Sequence, residues 1–198
     1  MRRWGRGQGK LYGLWAELLA AAGYRKMIGR GLSALRDAGP VLDVGCGTGE
    51  AIAILRRERP GTCMLGCELS PELLPQVRAR YPRAHLFAAD AEQLAVRSGS
   101  CAAALSFGVL AHLADPAAAL RELARTVRPG GMIAIWTRTD GGLSRLIAWL
   151  FVRMNPGAPF RLHRIEELRA LLAGAGVRLT HEEQVAGGHL WVGFRSGA

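Results

Sequence analysis

The stretch VLDVGCGTGE, residues 41–50, constrains this chain more than any other part of its sequence. It begins with an apolar run that suits a strand buried on both faces of a sheet. It then places glycine at Gly45, Gly47 and Gly49, where the absence of Cβ atoms lets the backbone turn sharply and approach a ligand. A helical pattern follows from Glu50 to about Arg57, and its first turn offers unpaired N–H groups. The sequence therefore predicts a strand, a tight turn and a helix around a nucleotide-type crevice.

A second apolar run ends in Glu68, about twenty residues beyond the last of these glycines. Nucleoside-binding folds place an acid at this distance, because a carboxylate accepts two hydrogen bonds and suits the vicinal hydroxyls of a ribose. The following Ser70-Pro71-Glu72 is typical of a helix start, so a solvated carboxylate before a helix is the alternative interpretation. The succession of strand, acid and helix start favours the ribose role.

Five segments carry a resemblance to a known family. They are Asp43–Gly49, Glu68, Asp90–Glu92, Ser106–Pro116 and Arg128–Gly131. Together they resemble the successive motifs of class I S-adenosylmethionine-dependent methyltransferases, most of all the type 11 branch that methylates quinones, lipids and other small molecules. The resemblance runs from about residue 41 to the end of the chain.

The resemblance implies an α/β fold with a doubly wound, Rossmann-like, mostly parallel sheet of seven strands whose last strand is antiparallel. With 198 residues the chain is long enough for one such domain and too short for a second, substrate-binding domain. We expect residues 38–198 to form the S-adenosylmethionine-binding domain and residues 1–37 to form an N-terminal helical extension.

The resemblance also implies that S-adenosyl-L-methionine binds in the crevice. The residues that it assigns to the cofactor are Asp43, Gly45, Cys46, Gly47, Gly49, Glu68, Leu69, Asp90, Ala91, Glu92, Ser106, Phe107 and Gly108. Asp90 would contact the adenine amino group and the Ala91 backbone N–H a ring nitrogen, although Asp90 as an N-cap for a helix over residues 91–94 stays open. The loop from Ser106 to Val109 would lie against the methionine arm and the transferring methyl group. The family more often has aspartate where this chain has Glu68, which serves the same diol.

A nicotinamide dinucleotide site is the competing interpretation. Its fingerprint requires a third glycine where Glu50 stands, with a pyrophosphate on the helix N-terminus. A carboxylate at that place would face a dianion at short range, which costs free energy. S-adenosylmethionine carries no phosphate, so position 50 favours the methyltransferase.

No catalytic dyad is recognisable in the sequence, which agrees with in-line displacement at a sulfonium methyl, where the protein mainly aligns the nucleophile. His112 lies at the predicted start of a helix. It is either a neutral base whose pKa the helix N-terminus lowers, or a capping or packing residue. Tyr12, in the leading helical pattern, either touches the cofactor or simply packs.

The four cysteines, Cys46, Cys63, Cys67 and Cys101, fall on predicted buried strands or on the first turn. No spacing typical of a zinc site accompanies them, so we expect small buried residues in a reducing cytosol and no bound metal. The N-terminal Met-Arg-Arg is followed by polar residues before any apolar run. We therefore predict no signal peptide and a cytoplasmic protein.

Periodicity predicts the remaining elements. Helices are expected over Lys10–Arg36 (one, or two broken near Gly23), Pro71–Tyr81, Pro116–Val127 and His163–Gly174, strands over 84–88, 101–106 and 132–137, and a final hairpin over 177–184 and 190–194.

The net charge of +10 and the pI of about 10.6 suit a polyanionic partner such as RNA or an anionic membrane surface. The basic residues are nearly all arginines that are scattered along predicted helices, so a compositional bias explains the same charge. Charge alone leaves these readings open.

The segment Gly141–Asn155 is apolar on most sides and too short to span a bilayer. It is a buried helix, a substrate lid or an interfacial segment that contacts a membrane. It lies within residues 137–164, where this fold usually carries a substrate-selecting cover, so we favour a small, apolar or lipid-like acceptor. An RNA acceptor, or a non-catalytic cofactor-binding subunit, is the alternative. We predict that alanine at Trp149 and Phe151 weakens acceptor methylation, and that Arg145, Arg153 and Arg161 are available to an acidic group.

Overall fold

A computed structural model describes residues 23–36, 39–154, 159–185 and 187–197. Its helices are α1 (Gly23–Ser33), α2 (Glu50–Glu58), α3 (Leu74–Arg80), α4 (Pro116–Thr126), α5 (Gly142–Met154) and α6 (Ile165–Gly174). Its strands are β1 (Val41–Val44), β2 (Met64–Glu68), β3 (His85–Ala88), β4 (Cys101–Phe107), β5 (Val127–Thr137), β6 (Val177–Val185) and β7 (Gly188–Arg195). Short 3₁₀ turns cover Pro71–Leu73 and Leu110–His112.

The strands form a seven-stranded sheet in the order β3-β2-β1-β4-β5-β7-β6. The first five in that order pair in parallel, and β7 runs antiparallel to both β5 and β6. This confirms the predicted doubly wound sheet with an antiparallel last strand. β1 has β2 on one side and β4 on the other, which makes it the switch point where open α/β sheets bind ligands, beyond the carboxyl ends of the strands.

The central strands form because both of their faces are covered. All four residues of β1 and all seven residues of β4 are buried, as apolar runs in parallel sheets require. On one face the core includes Met27 of α1, Ile52 of α2 and Val77 of α3. On the other face it includes Leu123 of α4 and Leu168 of α6. The crevice at the end of β1 therefore has rigid support from both layers.

Helix α1 packs into this core. Met27 and Ile28 are fully buried, and a Cβ at Gly31 would lie 3.1 Å from the ring of Phe107, so glycine permits the close approach of α1 to β4. The start of the predicted leading helix, including Tyr12, lies outside the described residues. The boundary between an extension over 1–37 and a domain over 38–198 stays a prediction.

Two predicted helices begin later than expected. The one predicted from Pro71 starts as a 3₁₀ turn and becomes α-helical only at Leu74. The one predicted from His163 starts at Ile165, because His163 is fully buried and pairs with Thr139 in an isolated bridge. The predicted C-terminal hairpin is confirmed, with Gly187 in the left-handed region at the turn.

The prediction of four buried cysteines is wrong at one position. Cys46, Cys67 and Cys101 are buried, but Cys63 is exposed, since it precedes β2 instead of lying within it. Its carbonyl still accepts a hydrogen bond from the Val41 N–H at 2.9 Å, so the backbone is paired while the side chain faces solvent. All four cysteines are free thiols.

Of the three interpretations of Gly141–Asn155, a buried helix, a substrate lid and an interfacial segment, the buried helix is wrong. Within α5 the side chains of Leu146 and Trp149 are 59% and 62% exposed. The helix covers the body with one side only. In the part of the chain that is described, no helix has both the length and the apolar character needed to cross a bilayer.

Cysteine accessibility gives a direct check of this arrangement. We expect a thiol reagent such as 5,5′-dithiobis(2-nitrobenzoate) to modify about one thiol per native chain, because burial raises the pKa of the other three thiols and blocks access. Cys63→Ser should abolish the rapid reaction and leave the slow ones unchanged. Rapid modification of a second thiol in the native variant would contradict the structure.

Candidate functional site

The glycine turn after β1 is held by its own backbone. The N–H groups of Gly45 and Cys46 both donate to the Cys67 carbonyl, at 2.8 and 3.0 Å, and the Gly49 N–H donates to the Cys46 carbonyl at 2.8 Å. All three glycines have positive φ, at 73°, 50° and 86° along the chain. The turn therefore requires glycine for its conformation and is locked to the end of β2.

Only one of the three glycines faces open space. A Cβ at Gly45 would lie 2.3 Å from Cγ2 of Val109, and one at Gly49 would lie 2.9 Å from Cγ1 of Val77. A Cβ at Gly47 would meet nothing nearer than the Gly45 carbonyl, at 3.9 Å. Gly47 is therefore where a ligand can approach the main chain.

Glu68, the last residue of β2, lies beside this open position. Its Oε2 accepts the Gly47 N–H and its Oε1 accepts the Ser70 N–H, each at 3.1 Å. Burial raises the pKa of Glu68, and these backbone hydrogen bonds oppose the rise. An ionised carboxylate has about four lone-pair sites, so each oxygen can still accept a ligand hydroxyl.

Asp43 lies behind Glu68, inside β1. Its side chain is only 5% exposed. Burial raises its pKa to about 7, and the nearby negative charge of Glu68 contributes to the rise. The crevice thus concentrates two carboxyl groups, which attract a cation and repel an anion.

The Asp90–Glu92 turn is joined to this cluster through Glu68. The Ala89 N–H donates to the Glu68 carbonyl at 3.1 Å, and Asp90 Oδ1 accepts the Glu92 N–H at 3.0 Å. Residues 91–94 form a turn and a bridge and no helix, so the alternative interpretation of Asp90 as a helix N-cap is wrong, and its side chain forms an Asx turn. Ala91 is buried beside it.

Glu92 has structural partners of its own. Its Oε1 accepts the N–H groups of Ala114 and Asp115, at 2.9 and 2.8 Å, just before α4. These bonds hold the loop that precedes α4 against the Asp90–Glu92 turn. A cofactor contact by Glu92 stays a prediction.

The end of β4 lies against the glycine turn, because Val109 packs on Gly45. Ser106 is 1% exposed, and its hydroxyl has no hydrogen-bond partner among the described residues. The Phe107 ring is buried in the core next to α1, and Cys46 lies in the same core cluster. At both positions the side chain is committed to packing, so a cofactor contact there would come from the backbone. Gly108 takes a positive φ of 81° and donates to the Trp136 carbonyl at 2.8 Å.

Leu69 differs from its neighbours because it is exposed. Its apolar side chain is 40% accessible directly after Glu68, at the rim of the crevice. The structure therefore gathers the predicted positions along the ends of β1, β2, β3 and β4. Whether each contacts a cofactor stays a prediction.

His112 ends a 3₁₀ turn and does not begin a helix, since α4 starts only at Pro116. Its Nδ1 lies 3.1 Å from the Pro159 carbonyl, which can only accept, so Nδ1 carries a proton in this contact. Burial lowers the pKa of His112, and the bond to Pro159 opposes this. The predicted neutral imidazole is therefore explained by desolvation and not by a helix dipole.

An aromatic cluster of His112, Phe151 and Phe160 was not foreseen. The ring centroid of His112 lies 5.3 Å from that of Phe151 and 5.1 Å from that of Phe160, and the two phenyl rings are 4.8 Å apart. Its members come from three separate segments, so no local sequence pattern could join them. The aromatic cluster connects α5 to the turn after β4.

The strand-like segment before α6 completes this region. The Arg161 N–H donates to the Ala111 carbonyl at 2.7 Å, and the Asp140 N–H donates to the His163 carbonyl at 2.9 Å. His163 Nε2 lies 3.3 Å from the Leu110 carbonyl. Among the described residues no group of three or more histidine, cysteine or acidic side chains is arranged to hold a metal ion.

Part of the chain matches a known protein family. Residues 42–135 match the family described as "Methyltransferase domain". The segment from β1 to β5 is thereby identified as a methyltransferase domain. The match starts in β1 and ends in β5, so it contains the glycine turn, Glu68 and the loop after β4.

The names of two curated relatives give different methyl acceptors. Malonyl-[acyl-carrier protein] O-methyltransferase of Herminiimonas arsenicoxydans is 36% identical over 134 residues, which cover 66% of this chain and 50% of that protein. The tRNA (carboxymethyluridine(34)-5-O)-methyltransferase ALKBH8 of Macaca fascicularis is 38% identical over 110 residues, which cover 53% of this chain and 16% of that protein. The chain thus spans half the length of the first methyltransferase and a smaller part of the second.

Solved structures share the fold. Geranyl diphosphate C-methyltransferase from Streptomyces coelicolor A3(2), in complex with Mg²⁺, geranyl diphosphate and S-adenosyl-L-homocysteine, superposes with a TM-score of 0.74. The two sequences are 14% identical, over 86% of this chain and 78% of that one. At this identity the likeness concerns the architecture alone.

The buried carboxyl of Asp43 predicts a pH-dependent stability. An ordinary aspartate pKa is 3.8, and in the folded protein it rises to about 7, so folding favours the protonated form. This favourable contribution is complete below the unfolded pKa and is lost as the pH rises through the folded pKa.

Asp43→Asn removes this titration. We expect the stability advantage of the variant over the wild type to grow by about 1 to 3 kcal/mol between pH 5 and pH 8 and to level off above the folded pKa. Urea unfolding of the cofactor-free proteins at several pH values measures it. Parallel pH profiles for the two proteins would contradict a raised pKa at Asp43.

Proposed function

We propose that this protein is an S-adenosyl-L-methionine-dependent methyltransferase that acts on a small, apolar or lipid-like acceptor. The observation that carries the cofactor assignment is the pairing of Glu68 with the Gly47 N–H at the open position of the glycine turn. When bound, S-adenosyl-L-methionine supplies an electrophilic methyl group on a sulfonium centre, which the acceptor's nucleophile takes by in-line displacement.

The residues of the crevice fit this cofactor. The Glu68 oxygens retain lone pairs for the two ribose hydroxyls. The exposed Leu69 offers an apolar surface to the adenine ring, and the Asp90 and Ala91 turn lies beside Glu68. The buried Ser106 hydroxyl, which lacks a partner among the described residues, suits the polar methionine arm.

Charge separates this cofactor from a dinucleotide. S-adenosyl-L-methionine carries positive sulfonium and ammonium groups, which the Asp43 and Glu68 carboxyls stabilise. A pyrophosphate would meet both carboxyls and also Glu50 at the start of α2. We therefore assign the site to a cofactor that carries positively charged groups and no phosphate.

The acceptor is proposed to bind between the loop after β4 and the inner side of α5. Phe151, Ile147 and Leu150 are half-buried on that side, and the aromatic cluster adds two more rings. Such a surface binds carbon by burial, at roughly 25 cal/mol per Å² removed from water. The acyl-carrier-linked substrate named for the Herminiimonas relative is compatible with this preference.

The arginines that were expected to hold an acidic acceptor already have carboxylate partners in two of three cases. Arg145 makes two hydrogen bonds to Asp140, at 2.7 and 2.9 Å, and Arg161 pairs with Glu167 at 2.7 Å. Arg153 makes no ion pair with a described residue. Arg153 also lies on the opposite side of α5 from Phe151, away from the proposed acceptor site, so an acceptor-binding role for these arginines stays a prediction.

His112 is a candidate for proton transfer. With the proton on Nδ1 held by the Pro159 carbonyl, Nε2 carries the lone pair and is able to take a proton from an acceptor O–H or N–H group. The lowered pKa keeps the imidazole neutral near pH 7. An acceptor that is already a carboxylate or a carbanion needs no base, and His112 then only shapes the pocket.

An RNA acceptor is the second candidate, favoured by the net charge of +10 and by the tRNA methyltransferase relative. Phosphate contacts would then supply most of the affinity and make activity fall steeply with salt. A non-catalytic cofactor-binding subunit is the third.

Cofactor binding is tested by a matched pair of glycine variants. Gly47 and Gly61 both have positive φ. At each position an added Cβ would have no protein atom within 3.8 Å. Alanine should therefore cost both variants a similar free energy of about 1 kcal/mol in backbone strain. Only Gly47→Ala places a methyl group in the proposed cofactor space.

Isothermal titration with S-adenosyl-L-methionine and S-adenosyl-L-homocysteine measures the result. We expect Gly47→Ala to weaken binding at least about tenfold and Gly61→Ala to bind as the wild type does. Equal affinities in both variants would place the cofactor elsewhere. Binding of NADH by the wild type in place of the methyl donor would refute the proposal.

Acceptor binding is tested by two substitutions on opposite sides of α5. Phe151→Ala removes a ring of the aromatic cluster and should lower methylation of a detergent-dispersed acceptor about tenfold, with cofactor affinity nearly unchanged. Trp149→Ala, at a side chain that is 62% exposed, should leave methylation unchanged. This replaces the sequence-based expectation that both residues act alike.

Radiolabelled cofactor and a fractionated cell extract identify the acceptor class. Label in the lipid or small-molecule fraction supports the proposal. Label in RNA, lost steeply with salt and retained in Phe151→Ala, supports the second candidate. Absence of transfer to every fraction, with cofactor binding intact, supports the third.

A further inference from the structure

The outer side of α5 presents apolar side chains to solvent. At about 100° per residue, Leu146, Trp149 and Val152 fall within an arc of about 120°. They are 59%, 62% and 45% exposed. Large apolar side chains grouped on one exposed helix face mark an interaction surface and are unusual on a monomer. We call these three residues the outer face of α5.

The inner side of the same helix is fixed to the body. Ser144 Oγ donates to the Gly187 carbonyl at 3.0 Å, and the Phe151 ring packs in the aromatic cluster. The outer face is therefore presented on a helix that is already formed and docked, so a partner does not have to fold it.

The charge beside the outer face that is not offset by an ion pair among the described residues is positive. The sequence of α5, GLSRLIAWLFVRM, contains no acidic residue. Arg153 falls within the same arc as Trp149 and makes no ion pair with a described residue, while the charge of Arg145 is offset by Asp140. The whole chain carries +10. An anionic partner is therefore favoured and a cationic one is repelled.

The dimensions indicate a membrane surface in preference to a second copy. Stable protein pairs bury about 800 Å² on each partner, more than three side chains of one short helix supply. A symmetric pair would also bring two Arg153 side chains and two strongly basic chains together. A helix of 13 residues is about 20 Å long, too short to cross the hydrocarbon core but suited to lie along the interface.

We infer that the outer face of α5 binds the surface of an anionic lipid bilayer, with Leu146, Trp149 and Val152 in the acyl boundary and Arg153 at the headgroups. Tryptophan with aliphatic side chains on one face and arginine beside them is the composition of interfacial helices. The inner side of α5 is left to the proposed acceptor site. The inference holds whatever the acceptor is, because it uses none of the crevice residues.

Vesicle co-sedimentation of the full chain tests it, with phosphatidylglycerol–phosphatidylcholine vesicles against pure phosphatidylcholine vesicles. We expect binding to the anionic vesicles, weakened by salt, and little binding to the neutral ones. The double variant Leu146→Gln, Trp149→Gln should lower the partition coefficient onto the vesicles at least about tenfold. Two large apolar side chains would then no longer be transferred from water into the acyl boundary. Thermal unfolding and S-adenosyl-L-homocysteine binding should be unchanged, since both residues are exposed.

Two variants that each remove one positive charge distinguish a role of the outer face from an effect of the net charge. Arg153→Gln and Arg83→Gln each remove one exposed arginine, the second on the turn before β3. Only Arg153→Gln should weaken binding, by about threefold to tenfold at low salt. Vesicles should also shift the tryptophan emission to the blue, and Trp149→Phe should remove that shift.

Several results would overturn the inference. One is equal vesicle binding by the wild type and the double variant, and another is an equal loss in Arg83→Gln. Absence of binding to anionic vesicles is a third. A lipid-free dimer in sedimentation velocity that the double variant abolishes would assign the outer face to a second copy instead.

Discussion

The hydrogen bond from the Gly47 N–H to the Glu68 carboxylate joins the carboxyl ends of β1 and β2, and the candidate site depends on it. It requires the left-handed turn at 45–49, which only glycines adopt without strain, and the close packing of Gly45 on Val109. Through the Ala89 N–H, the Glu68 backbone also holds the turn after β3. Glu68 thereby connects the ends of β1, β2 and β3, and Gly45 adds the loop after β4.

This local arrangement makes the crevice acidic inside a strongly basic protein. Burial raises the pKa of both Asp43 and Glu68, and the charge of Glu68 raises the pKa of Asp43 further. A positively charged ligand relieves both effects, whereas a phosphate intensifies them. The overall charge of +10 therefore says little about the crevice, and it acts instead at the surface, where Arg153 and the outer face of α5 lie.

Helix α5 connects the candidate site with the protein surface. Its inner side meets the aromatic cluster and the turn after β4, and its outer side faces solvent with Trp149 and Leu146. The opposite directions follow from helical geometry, because Phe151 and Trp149 are two residues apart and point to different sides. The two proposals are compatible. With the outer face of α5 on a bilayer, an apolar acceptor dissolved in that bilayer would lie close to the inner side of the same helix.

The sequence by itself determined the sheet, because buried parallel strands must be apolar on both faces and left-handed turns must be glycine, and both demands are local. It also predicted Glu68 in the same crevice as the glycine turn. In a parallel sheet the carboxyl ends of neighbouring strands lie at the same edge, so the end of β2 comes next to the turn that follows β1. Only the tertiary structure decided that Cys46 and Phe107 turn into the core, that Glu92 binds the loop before α4, and that Cys63 is exposed. The aromatic cluster and the two sides of α5 likewise depend on segments about forty residues apart in the chain, and contacts of that range leave no periodic signal in the sequence.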